Sequence, residues 1–192
     1  MNFSVDDVED VWLHKDHFDL IHTRHTVMAI KDWPKLMGQA LAHLKPGGWF
    51  ECQEVLHLPE SYDGTMTPDN PMYTYWSLIH AALQALGVDF HATLKLEQMM
   101  RDAGFVNVQR HEYHIPIGTW PRNKALKMVG LYWRTILTNG LEAIAMATLT
   151  RGLNWTYEQV RALLAETEKA YVDTMRVHAD MRLFIVYGQR PY

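Results

Sequence analysis

Residues 18–54 read FDLIHTRHTVMAIKDWPKLMGQALAHLKPGGWFECQE, and three kinds of local pattern follow one another along them. HFDLIHTR (17–24) is a short apolar run preceded by charge, as expected of a buried parallel strand. WPKLMGQALAHL (33–44) carries apolar residues at helical spacing, with Pro34 placed where a first turn tolerates it. Pro46-Gly47-Gly48 reads as a turn, and WFECQEV (49–55) as the next strand. Strand, helix, turn and strand form one parallel crossover unit, so the chain belongs to the α/β class.

Working outward, PESYDGTMTPDNP (59–71) is a turn-rich loop. Helical spacing predicts helices over 72–86 and over 93–103, the second ending at Gly104. FVNVQRHEYHIPI (105–117) alternates like a strand. Residues 122–150 and 156–174 are long amphipathic stretches, the latter opened by Thr156 with Glu158 in its first turn. LFIVYGQRP (183–191) reads as a final strand.

A chain of 192 residues with a net charge of −4 and no Lys/Arg run argues against a nucleic-acid partner. No stretch reaches the roughly 18 apolar residues of a membrane span, and the acidic MNFSVDDVEDVW start lacks a secretory pattern. The single Cys52 rules out an internal disulfide and points to a reducing, cytoplasmic setting. Eleven Met and seven Trp suit either an apolar pocket or a well-filled core.

The glycines are the most informative gap. There is no Gly-x-Gly, and the first of 11 glycines is Gly38. A loop that cradles a nucleotide cofactor after the first strand of a Rossmann-like sheet needs glycine to let the backbone approach its ligand. None of these residues can form one.

The order of segments resembles the fungal LaeA-like class I methyltransferases, which use S-adenosylmethionine (SAM). The matching words are the 18–54 stretch, SYDGTMTPDNP (61–71), AGFVNV (103–108), PIGTWPRNKALKMVGLYW (116–133), GLNWTYEQV (152–160) and VYGQRP (186–191). The resemblance implies an α/β fold, a partial Rossmann-like methyltransferase sheet with a helical lid. It would be a single domain over 1–192, with a core of 1–117 and 183–192 and a lid of 118–182. Strands are expected near 18–23, 49–54, 106–115 and 183–189, the last inserted antiparallel between its neighbours. The family often sits in secondary-metabolite gene clusters.

The resemblance also implies an upstream half with the glycine-rich SAM loop and an acidic ribose-binding residue, neither of which is present. FSVDDVEDVW (3–12) is similar to the segment after the family's third strand, where Asp7 and Val8 would sit beside adenine. No cofactor is therefore expected for this chain alone; SAM enters only if the other half is supplied. Without that half the strand at Phe18 would be an open edge, covered by residues 1–12 or by a second copy in a homodimer.

In open α/β sheets, ligands bind beyond the carboxyl ends of the strands. That rule gathers His22, Arg24 and His25 with Glu51, Gln53, Glu54 and His57 around one crevice. Arg24 would anchor an anion or carbonyl, and His25 would polarise or act as base with Glu54 orienting it. The bland alternative is a buried Arg24–Glu54 ion pair. Trp76, Trp120 and Trp133 fall where the resembling family forms its lid and acceptor pocket, although helical spacing also fits a packed core. His14, His17, His22 and His25 match no closed zinc pattern, so no metal is expected. His111 and His114 read as surface residues of an edge strand. Asp180 reads as a charge at the pocket mouth or at an exposed turn.

Three functions compete. The chain is a SAM-independent cyclase, pericyclase or isomerase acting on an apolar small molecule, the reading preferred here. Alternatively it is a SAM-dependent methyltransferase completed by a partner, or a non-catalytic partner of a full-length methyltransferase.

Overall fold

The computed structural model describes residues 5–13, 17–172 and 174–192. Residues 1–4 and His14 lie outside the described residues. Four strands form one sheet: β1 (Phe18–Arg24), β2 (Leu44–Glu60), β3 (Val106–Pro116) and β4 (Asp180–Gln189), in the order β1-β2-β4-β3. β1 and β2 run parallel, with Leu20 opposite Trp49, His22 opposite Glu51 and Arg24 opposite Gln53. The helix between them, α1 (Trp33–His43), is capped by the Asp32 side chain accepting from Lys35 N–H.

β4 is inserted between β2 and β3, as expected. Its direction follows from its ends. Gly47 N–H donates to Arg190 O and Arg190 N–H to Gly48 O, so the end of β4 lies beside the start of β2. Ile117 N–H donates to Ala179 O, joining the end of β3 to the start of β4. Both pairings are antiparallel. β2 runs well beyond the expected 49–54, because Gly47 and Gly48, taken as a turn, pair with Arg190 instead.

The fold divides into two compact units. The first comprises Met1–Glu54, His91–Glu112 and Phe184–Tyr192. In it α1 and α3 (Leu96–Asp102) supply the buried side chains Leu36, Met37, Ala40, Leu96 and Met100. Over Trp49–Glu54 of β2 the alternation is strict: Phe50, Cys52 and Glu54 are buried, and Trp49, Glu51 and Gln53 are half-buried. Phe50 stacks on Phe105 at 5.7 Å. Burial pushes the Cys52 thiol well above its ordinary range, so it is an inert core group.

The second unit comprises Val55–Phe90 and Tyr113–Leu183. Helices α2 (Pro71–Ala85), α4 (Lys124–Gly152) and α5 (Tyr157–Val172) pack together through Ile79 and Leu83, Leu137 and Leu141, and Val160 and Leu164. Two buried aromatics satisfy their polar ends inside it, Trp76 Nε1–H donating to Tyr171 Oη (3.0 Å) and Tyr75 O–H to Leu141 O (2.8 Å). Outside the 118–182 stretch, α2 also packs on α4 and α5. No described helix is long and apolar enough to cross a membrane.

Among the described residues, β1 has one strand partner, β2. The described residues 5–13 do not pair with it. Glu9 accepts from Lys31 and Asp32 N–H, and Trp12 N–H donates to Gln39, fastening residues 9–12 to α1 and its approach. Leu20 remains 59% exposed on the edge strand. The 192-residue chain is expected to self-associate at high micromolar concentration, as read by sedimentation velocity. Leu20→Lys should weaken that association, since charge on an edge strand opposes pairing. A strictly monomeric wild-type chain would refute the expectation.

Candidate functional site

The strand-end residues do not converge on one crevice. β2 is long enough that Glu51, Gln53 and Glu54 lie within it, and the pleat sends Glu54 to the opposite face from Glu51 and Gln53. On the half-exposed face, His22 Nδ1 and Glu51 Oε1 are 2.8 Å apart, and Gln53 Nε2–H donates to the same oxygen at 3.0 Å. Glu51 also borders a shallow depression with Leu20, Trp49 and Tyr187.

Glu54 is fully buried, and its carboxylate is committed to the backbone. It accepts from Thr26 N–H (2.8 Å), Thr26 Oγ1–H (2.7 Å) and Val27 N–H (3.0 Å). These bonds go to Thr26 and Val27, and among the described residues Arg24 makes no ion pair with Glu54. Arg24 is exposed. His25 adopts φ 55°, a left-handed conformation, with its N–H donating to Gln53 O (3.0 Å). Partial burial, then the Arg24 charge, lowers its pKa below the ordinary 6.5. Glu54 is the clamp that holds this strained turn.

Three residues expected to bind substrate are core residues of the second unit. His57 is 4% exposed and stacks on Trp76 at 4.9 Å, with the Trp133 ring 6.0 Å away. Trp76 and Trp133 are themselves buried. Trp120 lines a cavity.

That cavity, of about 390 Å³, belongs to the second unit. Its apolar wall is Pro116, Trp120, Pro121 and Leu126, and its polar groups are Tyr62, His114, Arg122, Asn123 and Asp180. Three of these form a hydrogen-bonded chain. Asp180 Oδ1 lies 2.7 Å from His114 Nδ1, and His114 Nε2 lies 2.7 Å from Tyr62 Oη. Asp180 is 3% exposed, and desolvation raises its carboxyl above the ordinary 3.8 despite the His114 bond. Once ionised, Asp180 can only accept. The proton therefore sits on Nδ1, leaving Nε2 to accept from the Tyr62 phenol. His114 is, as read, an exposed residue of the edge strand β3, bonded at both ring nitrogens, whereas Asp180 is buried at the start of β4 rather than at an exposed turn.

Local structure sets each member. Tyr62 rides on a loop whose Asp63 accepts from Thr65 N–H and Oγ1–H and pairs with His178 Nδ1 at 2.6 Å. The Thr65 bonds, then His178, hold the Asp63 carboxyl down to about 2. Trp120 stacks on His178 (5.1 Å) and donates Nε1–H to Ala179 O (3.0 Å). The segment bearing Trp120 lies flat on α4 because Gly118 and Gly130 meet backbone to backbone. A Cβ on Gly130 would overlap the Gly118 carbonyl.

Asp7 and Val8, expected beside adenine from the resemblance, line a separate cavity of about 340 Å³ in the first unit with Asp6, Trp12, Phe18, Leu20 and Ile21. Such walls suit an aromatic base. Within these 192 residues no glycine-rich loop exists to hold the methionine end, so the residues present do not fit the whole cofactor. Among the described residues no three His, Cys, Asp or Glu side chains are grouped to hold a metal ion.

The Glu54 clamp generates a stability prediction. Burial raises its folded pKa above the ordinary 4.5, so its contribution to stability is greatest below that value and is lost as pH rises through the folded pKa. The Thr26 hydroxyl supports the ionised form and offsets part of that loss. Thr26→Val is expected to cost about 1.5–3 kcal/mol near neutral pH, and clearly less below the folded pKa. Denaturant titrations at the two pH values measure this, and an equal cost at both would refute it.

The Methyltransferase domain family matches residues 1–110. Methyltransferase pytC of Aspergillus terreus is 35% identical over 194 aligned residues, covering all of this chain and 59% of that protein. Probable methyltransferase tdiE of Emericella nidulans is 30% identical over 96% of this chain and 58% of its own length. The protein-methionine methyltransferase laeA of the same organism is 25% identical over 96% of this chain and half of its own. The chain thus spans about three fifths or less of these relatives. Among solved structures, phosphoethanolamine N-methyltransferase 2 of Haemonchus contortus covers 98% of the chain and 37% of its own (TM-score 0.52, 15% identity). The [4+2]-cyclase SpnF covers 99% of the chain and 57% of its own (TM-score 0.50, 17% identity). These two likenesses speak to the fold alone. Family match and sheet order agree, and the chain belongs to the methyltransferase domain family, among relatives that include the LaeA regulators its motifs resemble.

Proposed function

We propose that this methyltransferase-family chain catalyses a SAM-independent proton transfer, an isomerisation or cyclisation of an apolar small molecule of secondary metabolism. The supporting observation is the Asp180–His114–Tyr62 hydrogen-bonded chain at the wall of a mostly apolar cavity. A buried carboxylate fixes the imidazole tautomer, and the imidazole, exposed on β3, accepts from the phenol of Tyr62, which is 81% exposed and lines the cavity. This arrangement lets one group give a proton and recover it. Tyr62 Oη takes a proton from the carbon next to a substrate carbonyl as its own phenolic proton passes to His114 Nε2, leaving an enolate, a neutral phenol and an imidazolium bonded to Asp180. A proton released from carbon returns along the same path to another position, and the product keeps the mass of the substrate.

The test uses β-tetralone, an apolar enolisable ketone, in D₂O. Wild-type chain should accelerate deuterium incorporation, read by mass spectrometry. His114→Ala and Asp180→Asn should each lose roughly 10²-fold or more of that rate. Activity should also fall on the acid side as Asp180 protonates through a pKa above 3.8, since the protonated carboxyl no longer fixes the tautomer. Background rates in every sample would overturn the reading. Rates that fell with Arg24→Ala and His25→Ala but not with His114→Ala would return the chemistry to the strand ends.

A second reading is favoured by the match to only 59% of a methyltransferase and by the cavity beside Asp7 and Val8. It makes the chain the acceptor-binding part of a SAM-dependent enzyme. Calorimetry with SAM is expected to show no saturable binding to the 192-residue chain. Micromolar affinity would promote this second reading over the first.

A further inference from the structure

We infer that the cavity of the second unit takes a singly charged apolar anion, a planar carboxylate or enolate, whose oxygens meet Arg122. The inference rests on the reading of this cavity as the substrate site, and adds the class of substrate.

The charge balance around the cavity carries it. Four lining side chains carry ionisable groups: Tyr62, His114, Arg122 and Asp180. Three are joined in the relay, and the Asp180 carboxylate is bonded to His114. Arg122 stands apart. It is exposed and, among the described residues, meets no carboxylate. Its backbone is fixed on both sides, by the restricted φ of buried Pro121 and by Asn123, whose side chain caps α4 by accepting from Ala125 and Leu126 N–H.

A guanidinium stays charged at any relevant pH and offers paired N–H groups that match two coplanar oxygens. Of the other lining residues, Pro116, Trp120, Pro121 and Leu126 present an apolar surface, and the Asn123 side chain is committed to capping α4. One cation facing an apolar wall selects one anionic end and one apolar body. A volume of about 390 Å³ limits that body to a small molecule. Placed this way, the ionised oxygens lie at Arg122 while the rest of the molecule faces Tyr62 and His114.

The experiment compares 2-naphthoate with its neutral near-isostere 2-naphthamide, titrated into the full 192-residue chain by calorimetry and by quenching of tryptophan fluorescence. The wild-type chain should bind the carboxylate at least about tenfold more tightly than the amide. Arg122→Gln should bring the two within about twofold while leaving naphthamide affinity unchanged, which also shows that the cavity stays folded. His114→Ala should keep the preference. Equal affinities in the wild type, binding of neither ligand, or a preference that survives Arg122→Gln would overturn the inference. Its failure is separable from that of the catalytic reading. Absent deuterium exchange with an intact preference removes the proton-transfer function alone; intact exchange with no preference removes the anion subsite alone.

Discussion

A carboxylate almost sealed from water at the first position of an inserted strand has to be answered by a donor, and the answer organises the second unit. Asp180 opens β4, and with 3% of its surface exposed its charge would be untenable without the His114 bond from β3. Two residues on, Arg182 pairs with Glu60 at the far end of β2 (2.9 Å), so the start of β4 is tied by side chains to both neighbours. The same bond that steadies the strand also fixes which imidazole nitrogen carries the proton. Tyr62 can then hydrogen-bond the other nitrogen only because its loop is latched by Asp63 to His178.

The first unit uses a buried carboxylate to another end. Glu54 meets three donors, two of them backbone N–H groups. A main-chain amide does not titrate, so this arrangement holds the His25 turn and has no proton to pass on. Asp180 meets a titratable ring whose second nitrogen continues the chain toward a cavity. The two acids are similar in burial and in the direction of their pKa displacement. What separates a tie from a candidate relay is the chemistry of the group bonded to the carboxylate.

Family membership and the proposed chemistry are compatible because they draw on different parts of the fold. Methyl transfer needs a loop for the donor, and such a loop requires glycines that these residues do not contain. Proton transfer needs only an apolar cavity with a polarised acid–base pair, and those groups come from β3, β4 and the 61–66 loop. A sheet built for one reaction class can carry another when the site is formed by side chains on its connections.

The order of strands and helices was legible in the sequence because it follows from periodicity and punctuation that act over neighbouring residues. FDLIHTR, WPKLMGQALAHL and LFIVYGQRP each encode their own element, and the wording of 18–54 with PIGTWPRNK and YGQRP sufficed to point to the family. The length of β2 was not legible, because Gly47 and Gly48 become strand only through Arg190, more than 140 residues away. The site was hidden for the same reason. Tyr62, His114 and Asp180 are separated by 52 and 66 residues, and no local spacing links a loop tyrosine, an edge-strand histidine and a strand-initial aspartate. Of the residues gathered by rule at the strand ends, Arg24 at the end of β1 and His25 in the turn after it are exposed, while alternation along the longer β2 sends Glu54 into the core. Sequence alone determined which elements form, through short-range patterns. Tertiary structure decided which side chains meet, because insertion of β4 between β2 and β3 brings together groups that the chain keeps far apart.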